Sequence, residues 1–536
     1  MGNSPEFFDL KDLSDYDRAV KKTGYGRFHY EILAVSAMSI LSMGFQNGLS
    51  SYVFPAAQCD LNFSSFELGI LNTAFMIGGI ASCFLWGVLA DNLGRKKILF
   101  ITHLIDAIVT IVCSVLPSVN NLLVCRFLNG FLIGAPGSII FTYVAEFQPP
   151  KYRSPVVCCC GIFFTISWLI LPLLAYFILP LENVRFTLGN FIFFAPWRLF
   201  LIILAVPELL TALWFLRMPE SPKFFLAKGS QAKCLTILRK MYSINTGEHP
   251  DQFPVKHLVS DMKTDMQHQV SDNIVCSGKL MRILISMKQQ MKSLFRFPLL
   301  LVTVLTCTIM FANMFGMFGL GLWLPEIFVR FDQFEKLYPN ATPSITELSA
   351  LVKVNDKNLS CEATFDASVT FNTVVIAATS LVFNFICSVI ATKLHFKVIP
   401  LVTMLIGGAT SASIYFLTSS LQNLVVASLF QASMITANMT IGSIAVELFP
   451  TKVVGIAMCL MMFFGRLGAM ASSFLFGLYM DTQCHIPIFI VGGVVLLGGL
   501  LCFLVPKKSN RSMERTLSIT TGIEVAVLSG YDVKFR

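Results

Sequence analysis

The chain has 536 residues, of which 55% are hydrophobic and only 13% are charged, and 49 of them are Phe. A set of water-soluble domains, which this length would otherwise suggest, is excluded because apolar runs of about 20 residues recur, the length that spans a bilayer as a helix. The net charge of +9 does not indicate nucleic-acid binding, because the basic residues concentrate on one side of the predicted membrane topology.

Long apolar runs predict transmembrane helices, since a helix satisfies its own backbone polar groups in the absence of water. The 27 residues before the first run are polar and charged, without an apolar core. We therefore expect no secretory signal peptide there, and the first span serves as its own anchor. Twelve spans are predicted: 28–53, 66–90, 98–117, 121–146, 155–180, 196–217, 297–325, 369–392, 398–418, 422–448, 453–479 and 484–505.

An even number of spans places both termini on one side of the membrane. The segments on that side carry 31 of the 40 Lys and Arg residues and the opposite side carries five, so the termini are predicted to be cytosolic. The predicted parts are a cytosolic N-terminus (1–27), an N-terminal six-helix bundle (28–217), a cytosolic linker (218–296), a C-terminal six-helix bundle (297–505) with an outer loop (327–368), and a cytosolic tail (506–536).

A polar stretch joins spans 2 and 3 and reads Gly-Val-Leu-Ala-Asp-Asn-Leu-Gly-Arg-Lys-Lys over residues 87–97. Five polar or charged residues at one helix junction of so apolar a chain indicate a specific role. Gly87 would let another helix approach closely, and Asp91 could accept hydrogen bonds from the N-terminus of span 11. The alternative is that Arg95 and Lys96 are only solvated charges that set topology.

The two halves of the chain are related by an internal repeat. Glu146-Phe-Gln-Pro149 at the end of span 4 matches Glu447-Leu-Phe-Pro450 at the end of span 10. The same offset maps the polar stretch onto residues 388–397, which keep Lys397 but lack its Asp and Arg. Repeats of this kind are typical of transporters, whose substrate site lies between the halves near the bilayer midplane.

The two longest loops carry further signals. Within 230–243, Ala232, Leu235, Leu238 and Met241 recur at helical spacing between basic residues, which predicts an amphipathic helix on the membrane or on the bundle. Residues 244–275 are polar and are expected to be mobile. Three Asn-x-Ser/Thr sequons lie on the predicted outer side and are candidate glycosylation sites: Asn62, Asn340 and Asn358.

The polar stretch resembles the loop between helices 2 and 3 of the major facilitator superfamily of secondary transporters. Other segments resemble its sugar-transporter and organic-ion-transporter branch: 126–134, 143–146 with Arg153, 219–226 and 446–451. Three more are similar to the synaptic vesicle glycoprotein 2 family: 24–30, 197–198 and 321–325. Together the similar segments run from about residue 24 to residue 505.

Two departures from the synaptic vesicle family stand out. That family has a large luminal domain between spans 7 and 8, whereas this chain has only about 40 residues there. It also carries acidic residues midway along span 1, whereas residues 42–47 here contain no carboxylate. The chain is therefore similar to a divergent, shorter relative, and a facilitator, an exchanger or a coupling site elsewhere is favoured over a proton symporter that uses span 1.

The resemblance implies an all-α membrane protein with twelve transmembrane helices in two pseudo-symmetric six-helix bundles. It also implies a cytosolic gate that latches the outward-open state, formed by Gly87, Asp91, Gly94, Arg95, Lys96, Glu146, Arg153 and Glu447. The central cavity should be lined by spans 1, 4, 7 and 10. The candidate cavity residues, for which packing is an equally good interpretation, are Gln46, Asn47, Arg126, Asn313, Gln431, Asn438 and Arg466.

We expect a secondary-active or facilitative transporter of an organic ion or small metabolite that works by alternating access. The alternative is a membrane binding or trafficking protein with little transport, similar to the synaptic vesicle family. No enzyme motif, metal-ligand spacing or cofactor signature is recognisable. We expect a monomer in the plasma membrane or an intracellular vesicle membrane, with a small organic solute or ion and the lipid bilayer as partners and a possible cytosolic partner at 218–296.

Overall fold

The computed structural model describes residues 15–61, 64–181, 184, 186–188, 192–258, 288, 291–297, 299–337, 367–391, 394–395, 397, 398–417, 419–449, 453–480 and 482–506. By internal contacts it divides into two compact units. Unit 1 comprises residues 1–53 and 81–277, and unit 2 comprises residues 54–80 and 278–536.

Unit 1 holds most of the first half of the chain. Its helices are α1 (Asp15–Lys22), α2 (Arg27–Gly48), α5 (Leu85–Leu93), α6 (Arg95–Val115), α7 (Val119–Phe147), α8 (Pro150–Ile178), α9 (Pro196–Arg217), α10 (Pro222–Ala227) and α11 (Gln231–Thr246). A short antiparallel hairpin of β1 (Phe186–Leu188) and β2 (Ile192–Phe194), which the sequence analysis did not predict, precedes α9.

Most of α3 (Ser50–Leu61) belongs to unit 2. The second predicted span forms two helices, one mostly in unit 2 and the other, α5, in unit 1. The other helices of unit 2 are α4 (Ser65–Ser82), α12 (Leu299–Phe318), α13 (Leu320–Leu337), α14 (Ala367–Ala391), α15 (Val398–Ser413), α16 (Ser420–Leu448), α17 (Val454–Tyr479) and α18 (His485–Leu504). The sixth span begins and ends where predicted, at Pro196 and Arg217.

Eleven helices in the described part of the chain are long and apolar enough to cross a membrane, and a shorter apolar segment, Phe371–Cys387, lies in α14. Together they account for the twelve predicted spans. Many of their large apolar side chains are exposed, such as Val425, Leu497 and Phe503. Such a surface would be unstable in water and is suited to contact with lipid.

Small residues allow the helices to pack closely. A side chain on Gly44 would overlap Ser167 and one on Gly48 would overlap Leu171, so α2 and α8 are in contact at these positions. In unit 2 the backbones of Gly69 on α4 and Gly477 on α17 touch directly. Contacts through small residues are the usual way in which membrane helices associate, because lipid removes the hydrophobic drive.

Residues 54–80 group by their contacts with unit 2, and Gly69–Gly477 is one of these contacts. The first six-helix bundle over 28–217 stays a prediction. One difference concerns the predicted outer loop 327–368, whose first part is helical because α13 continues to Leu337.

The predicted amphipathic helix of the linker is α11. Its buried side chains are Cys234, Leu235, Leu238 and Met241, whereas Ala232, which we expected on the same face, is exposed. The helix packs on the start of α2 within unit 1, where Asn245 Oδ1 accepts a hydrogen bond from the Phe28 backbone N–H at 3.1 Å. Of the stretch 244–275 that we expected to be mobile, residues 259–275 lie outside the described part, and Phe253 and Leu258 are buried.

Candidate functional site

The polar stretch 87–97 lies at one end of unit 1, where α5 ends and α6 begins. The turn between them is Gly94, whose φ of +108° is a conformation that residues with a side chain rarely adopt. A Cβ atom at this position would also overlap the carboxylate of Glu220, which lies between α9 and α10. Gly94 is therefore required both by its backbone and by its neighbour.

Glu220 caps the start of α6. Its Oε1 accepts hydrogen bonds from the backbone N–H groups of Lys96 and Ser221, both at 3.0 Å. A carboxylate at a helix N-terminus is favourable because the first N–H groups have no partner inside the helix. The Lys96 side chain extends from the same turn and donates to the Leu216 carbonyl oxygen at 3.1 Å.

Arg95 connects the turn to the end of α7. Its guanidinium forms an ion pair with Glu146 and lies 3.6 Å from an Asp91 carboxylate oxygen. The Ser221 hydroxyl donates to the same carboxylate oxygen that Arg95 contacts, Glu146 Oε2, at 2.5 Å. We call Gly94, Arg95, Glu146, Glu220 and Ser221 the cytosolic cluster, after the side on which the sequence analysis expects this end of the helices. It joins the ends of four helices, α5, α6, α7 and α10, through charge-assisted bonds.

Arg153 belongs to the same end of unit 1 but not to this cluster. Its Nη2 forms an ion pair with Asp17 of α1 at 2.9 Å, and its Nε donates to the Ala145 carbonyl oxygen at 3.1 Å. Beside it, the Tyr16 hydroxyl donates to the Glu146 carbonyl oxygen at 2.7 Å. Burial raises the pKa of the Tyr16 phenol, so the group stays protonated as this bond requires. Arg153 thus fixes α1 against the end of α7.

The roles expected of three further gate residues, Gly87, Asp91 and Glu447, stay predictions. A side chain on Gly87 would meet no neighbouring atom of the described residues within 4 Å. The Asp91 side chain is 67% exposed, and its described partner is Arg95, four residues away on the same turn. Glu447 lies in α16, and its side chain is outside the described set.

Two of the predicted cavity residues meet in the interior of unit 1. Arg126 of α7 donates from Nη1 to Gln46 Oε1 at 3.3 Å, and from Nη2 to the Gln46 carbonyl oxygen at 3.3 Å and to Ser50 Oγ at 2.9 Å. Gln46 Nε2 in turn donates to Thr110 Oγ1 on α6 at 2.8 Å. Arg126 therefore binds both sides of Leu49, the residue at which α2 gives way to α3.

The remaining candidates are placed within their own units. The Asn47 amide donates to the Met43 carbonyl oxygen one turn earlier at 2.7 Å, a local bond. In unit 2 the Asn313 amide donates to Asn438 Oδ1 at 3.2 Å, which joins α12 to α16. Gln431 and Arg466 each pack on a glycine. A Cβ atom added to Gly321 would overlap the Gln431 side chain, and one added to Gly79 would overlap the Arg466 side chain.

Several well-connected residues were not predicted. Glu220 and Ser221 could have been suspected from the Pro-Glu-Ser-Pro segment at 219–222, to which we assigned no role, whereas Asp17 carried no signal. In unit 2, Arg330 is buried, although we placed it in the outer loop. Its Nε pairs with Glu326 at 2.9 Å, and its two Nη atoms donate to the Met480 carbonyl oxygen and Ser65 Oγ, both at 3.2 Å.

The predicted glycosylation sites lie outside the described residues. Among the described residues, no group of His, Cys, Asp and Glu is arranged to hold a metal ion.

Comparison with known families and relatives gives a consistent result. The family model that matches is the Major Facilitator Superfamily, over residues 36–473. The chain is 27% identical over 337 residues to synaptic vesicle glycoprotein 2B of Mus musculus, which covers 61% of this chain and 49% of the relative. It is 26% identical over 328 residues to synaptic vesicle glycoprotein 2C of Homo sapiens, covering 60% and 45%. The chain thus spans about half the length of these relatives.

Solved structures show the same fold. The xylose transporter XylE from E. coli, in a partially occluded inward-open conformation, superposes with a TM-score of 0.62 at 16% identity, covering 90% of this chain and 100% of that one. A crystal structure of a D-xylose-proton symporter gives a TM-score of 0.62 at 15% identity, covering 89% and 98%. The predicted fold class, twelve transmembrane helices in the major facilitator arrangement, is confirmed.

Proposed function

The chain belongs to the major facilitator superfamily, and from this we propose that it carries a small organic ion or metabolite across a membrane by alternating access, as a facilitator or a secondary-active transporter. The relatives in this family that resemble it include transporters, and the proposed activity involves no enzymatic chemistry. The protein acts as a monomer in this proposal, with both termini in the cytosol.

The observation that carries the proposal is the polar interior of helices that cross a membrane. Gln46 and Arg126 are buried inside unit 1, and Asn313 and Gln431 are buried inside unit 2. Polar and charged side chains at membrane depth are costly and are found chiefly along solute or ion paths. We propose that these groups of each unit hydrogen-bond a polar solute, as at the midplane binding site of transporters built from repeats.

The cytosolic cluster supports the same proposal. Arg95, Glu146 and Glu220 link the ends of four helices of unit 1, and in this proposal the linked ends move together. Alternating access requires rigid-body motion of this kind. We place the gate at this end of the unit, with Asp91, two-thirds exposed, as the group available to a further helix end when the gate closes.

The test begins with purified full-length protein and a library of organic cations, organic anions and neutral metabolites. Compounds that raise its melting temperature are then assayed for saturable uptake into proteoliposomes. We expect Arg466→Ala to abolish uptake and Arg217→Ala, an exposed arginine at the end of α9, to leave it unchanged. Compounds that stabilise the protein but show no flux in the wild type would contradict the transport proposal.

The matched relatives favour one alternative. They are named as synaptic vesicle glycoproteins, so we propose a vesicle membrane as one location, the plasma membrane being the other, and a binding or trafficking role as the second candidate function. Its partner would contact the linker, where α11 presents an exposed basic face including Lys233 and Lys240. Pulldown of a partner that is lost in Lys233→Glu/Lys240→Glu, together with no flux for any solute, would favour this alternative.

A further inference from the structure

Three ionisable side chains are buried together in the interior of unit 1. Asp106 lies in the middle of α6, Arg126 on α7 and Glu208 on α9, and their exposed fractions are 2%, 1% and 0%. All three helices cross the membrane. The sequence analysis named Arg126 as a cavity residue but assigned no site to the two carboxyl groups.

The hydrogen bonds of this group are incomplete. Asp106 Oδ1 accepts a bond from the Asn129 amide at 2.7 Å. Glu208 faces Asp106, Gln46 and Arg126, yet neither of its oxygens receives a hydrogen bond of good geometry from a described residue, and the same holds for Asp106 Oδ2. Three buried carboxylate oxygens therefore have no well-formed hydrogen bond from a described donor, although the Gln46 amide approaches Glu208. An ionised carboxylate can only accept, and burying such an acceptor unsatisfied is unfavourable.

The charges of the group are also unequal. One guanidinium faces two carboxyl groups, which leaves one negative charge if both are ionised. Among the described residues, the other titratable groups near them are His103, Cys113, Cys125 and Arg198. His103 on α6 hydrogen-bonds Ser39 at 2.7 Å, and the two cysteines lie beside Arg126. Arg198 donates to the Ser114 and Leu116 carbonyl oxygens. From α2 the neighbour is Gln46, which is neutral. An unbalanced charge at membrane depth is strongly unfavourable.

A single proton would remove both defects. Placed between Asp106 and Glu208, it makes one carboxyl a donor to the other, and it brings the net charge of the three groups to zero. We propose that Asp106 and Glu208 share one proton at neutral pH and that this pair is the proton-binding site of the transport cycle. This inference rests on the proposed function for its role, but the existence of the bound proton is independent of transport.

The geometry connects the pair to a helix break. Arg126 binds the Gln46 carbonyl oxygen and Ser50 Oγ, on either side of Leu49. When the shared proton leaves for water, the pair gains a negative charge, which attracts the guanidinium toward Asp106 and Glu208 and away from Gln46 and Ser50. Rebinding of a proton reverses the change. Proton release would thus loosen the junction of α2 and α3, and proton uptake would restore it.

Infrared spectroscopy of the full-length protein tests the bound proton without any solute. We expect a C=O stretch of a protonated carboxylic acid at neutral pH, shifted in D2O and lost as the pH is raised. Glu208→Gln and Asp106→Asn should each remove one protonated carboxyl per chain, because a single carboxylate then balances Arg126. Glu31→Gln, a matched change at an exposed carboxylate of α2, should leave the band intact.

Two further measurements fix the interpretation. The wild-type melting temperature should fall as the pH rises through the loss of the band, because the folded state holds the proton and the unfolded state does not. Glu208→Gln should remove this dependence while remaining as stable as the wild type at neutral pH, which shows that the variant is folded. A band that is absent from the wild type, or retained in both variants, would overturn the proposal.

The coupling is tested in vesicles that contain a trapped pH indicator. We expect a solute that is transported by the wild type to move protons with it, and Glu208→Gln to retain solute exchange but lose the proton flux. Solute flux without proton flux in the wild type would overturn the coupling. An intact infrared band together with no flux of any solute would instead overturn the proposed transport function while supporting the proton site.

Discussion

Gly94→Ala is the substitution that most directly tests the cytosolic cluster. The native φ of +108° is unfavourable for alanine, which adds about 1–3 kcal/mol to the free energy of the folded state. The new Cβ would also overlap the Glu220 carboxylate, which then has to leave the backbone N–H groups that it caps. Loss of such a cap destabilises by roughly 0.5–2 kcal/mol. The two effects together predict a loss of about 1.5–5 kcal/mol.

Thermal unfolding of the purified protein measures this loss, and the same stretch of sequence supplies the control. Gly87→Ala places a methyl group where no described atom lies within 4 Å, inside helix α5. Alanine favours a helix over glycine by about 1 kcal/mol, so this variant should be as stable as the wild type or slightly more stable. Equal melting temperatures for Gly94→Ala and the wild type would refute the geometry deduced for the turn. If Gly87→Ala is stable but transports slowly, another helix approaches Gly87 during the cycle.

Three other predictions concern different parts of the chain. Arg330→Met should destabilise unit 2 by about 3–5 kcal/mol in thermal or denaturant unfolding, because it leaves Glu326 buried without its cation, and adding Glu326→Gln should recover part of the loss. Burial raises the pKa of the Cys234 thiol to about 12, so a maleimide should label Cys234 slowly near neutral pH and faster as the pH rises, as measured by mass spectrometry. A cysteine introduced by Ala232→Cys on the exposed face of α11 should react at once. Rapid labelling of Cys234 would show that α11 is not packed on the rest of unit 1. Removal of N-glycans should increase the gel mobility of the expressed protein. If replacing Asn62, Asn340 and Asn358 with Gln leaves the mobility unchanged, their predicted location on the outer side is contradicted.

The fold could be predicted from the sequence because the signal is local. Each span is an apolar run whose length is set by the bilayer, so the helices were located to within a few residues, as at Pro196 and Arg217. Span 7, which we ended at residue 325, is followed by helix as far as Leu337. Arg330 in this part pairs with Glu326 one turn earlier and donates to Ser65 and Met480, and no local pattern reveals the last two partners.

The candidate site shows the same limit more clearly. The residues of the polar stretch indicated that Arg95 and Gly94 matter, since polar groups are rare beside a membrane. Their partners Glu146 and Glu220 come from helix ends far along the chain, and only the folded backbone brings them together. Asp106 and Glu208 are charged residues within apolar runs of the sequence, but their proximity, which suggests the shared proton, is a property of packing between α6 and α9.

The backbone contact of Gly69 with Gly477 has a consequence for sequence variation among relatives. A Cβ on Gly69 would lie 2.7 Å from the Gly477 Cα, and a Cβ on Gly477 would lie 2.9 Å from the Gly69 Cα. Because each glycine is confined by main-chain atoms, no change at one position makes room for a larger residue at the other. We expect both positions to be invariant wherever α4 and α17 pack in this way. They would therefore show no covariation, although they touch.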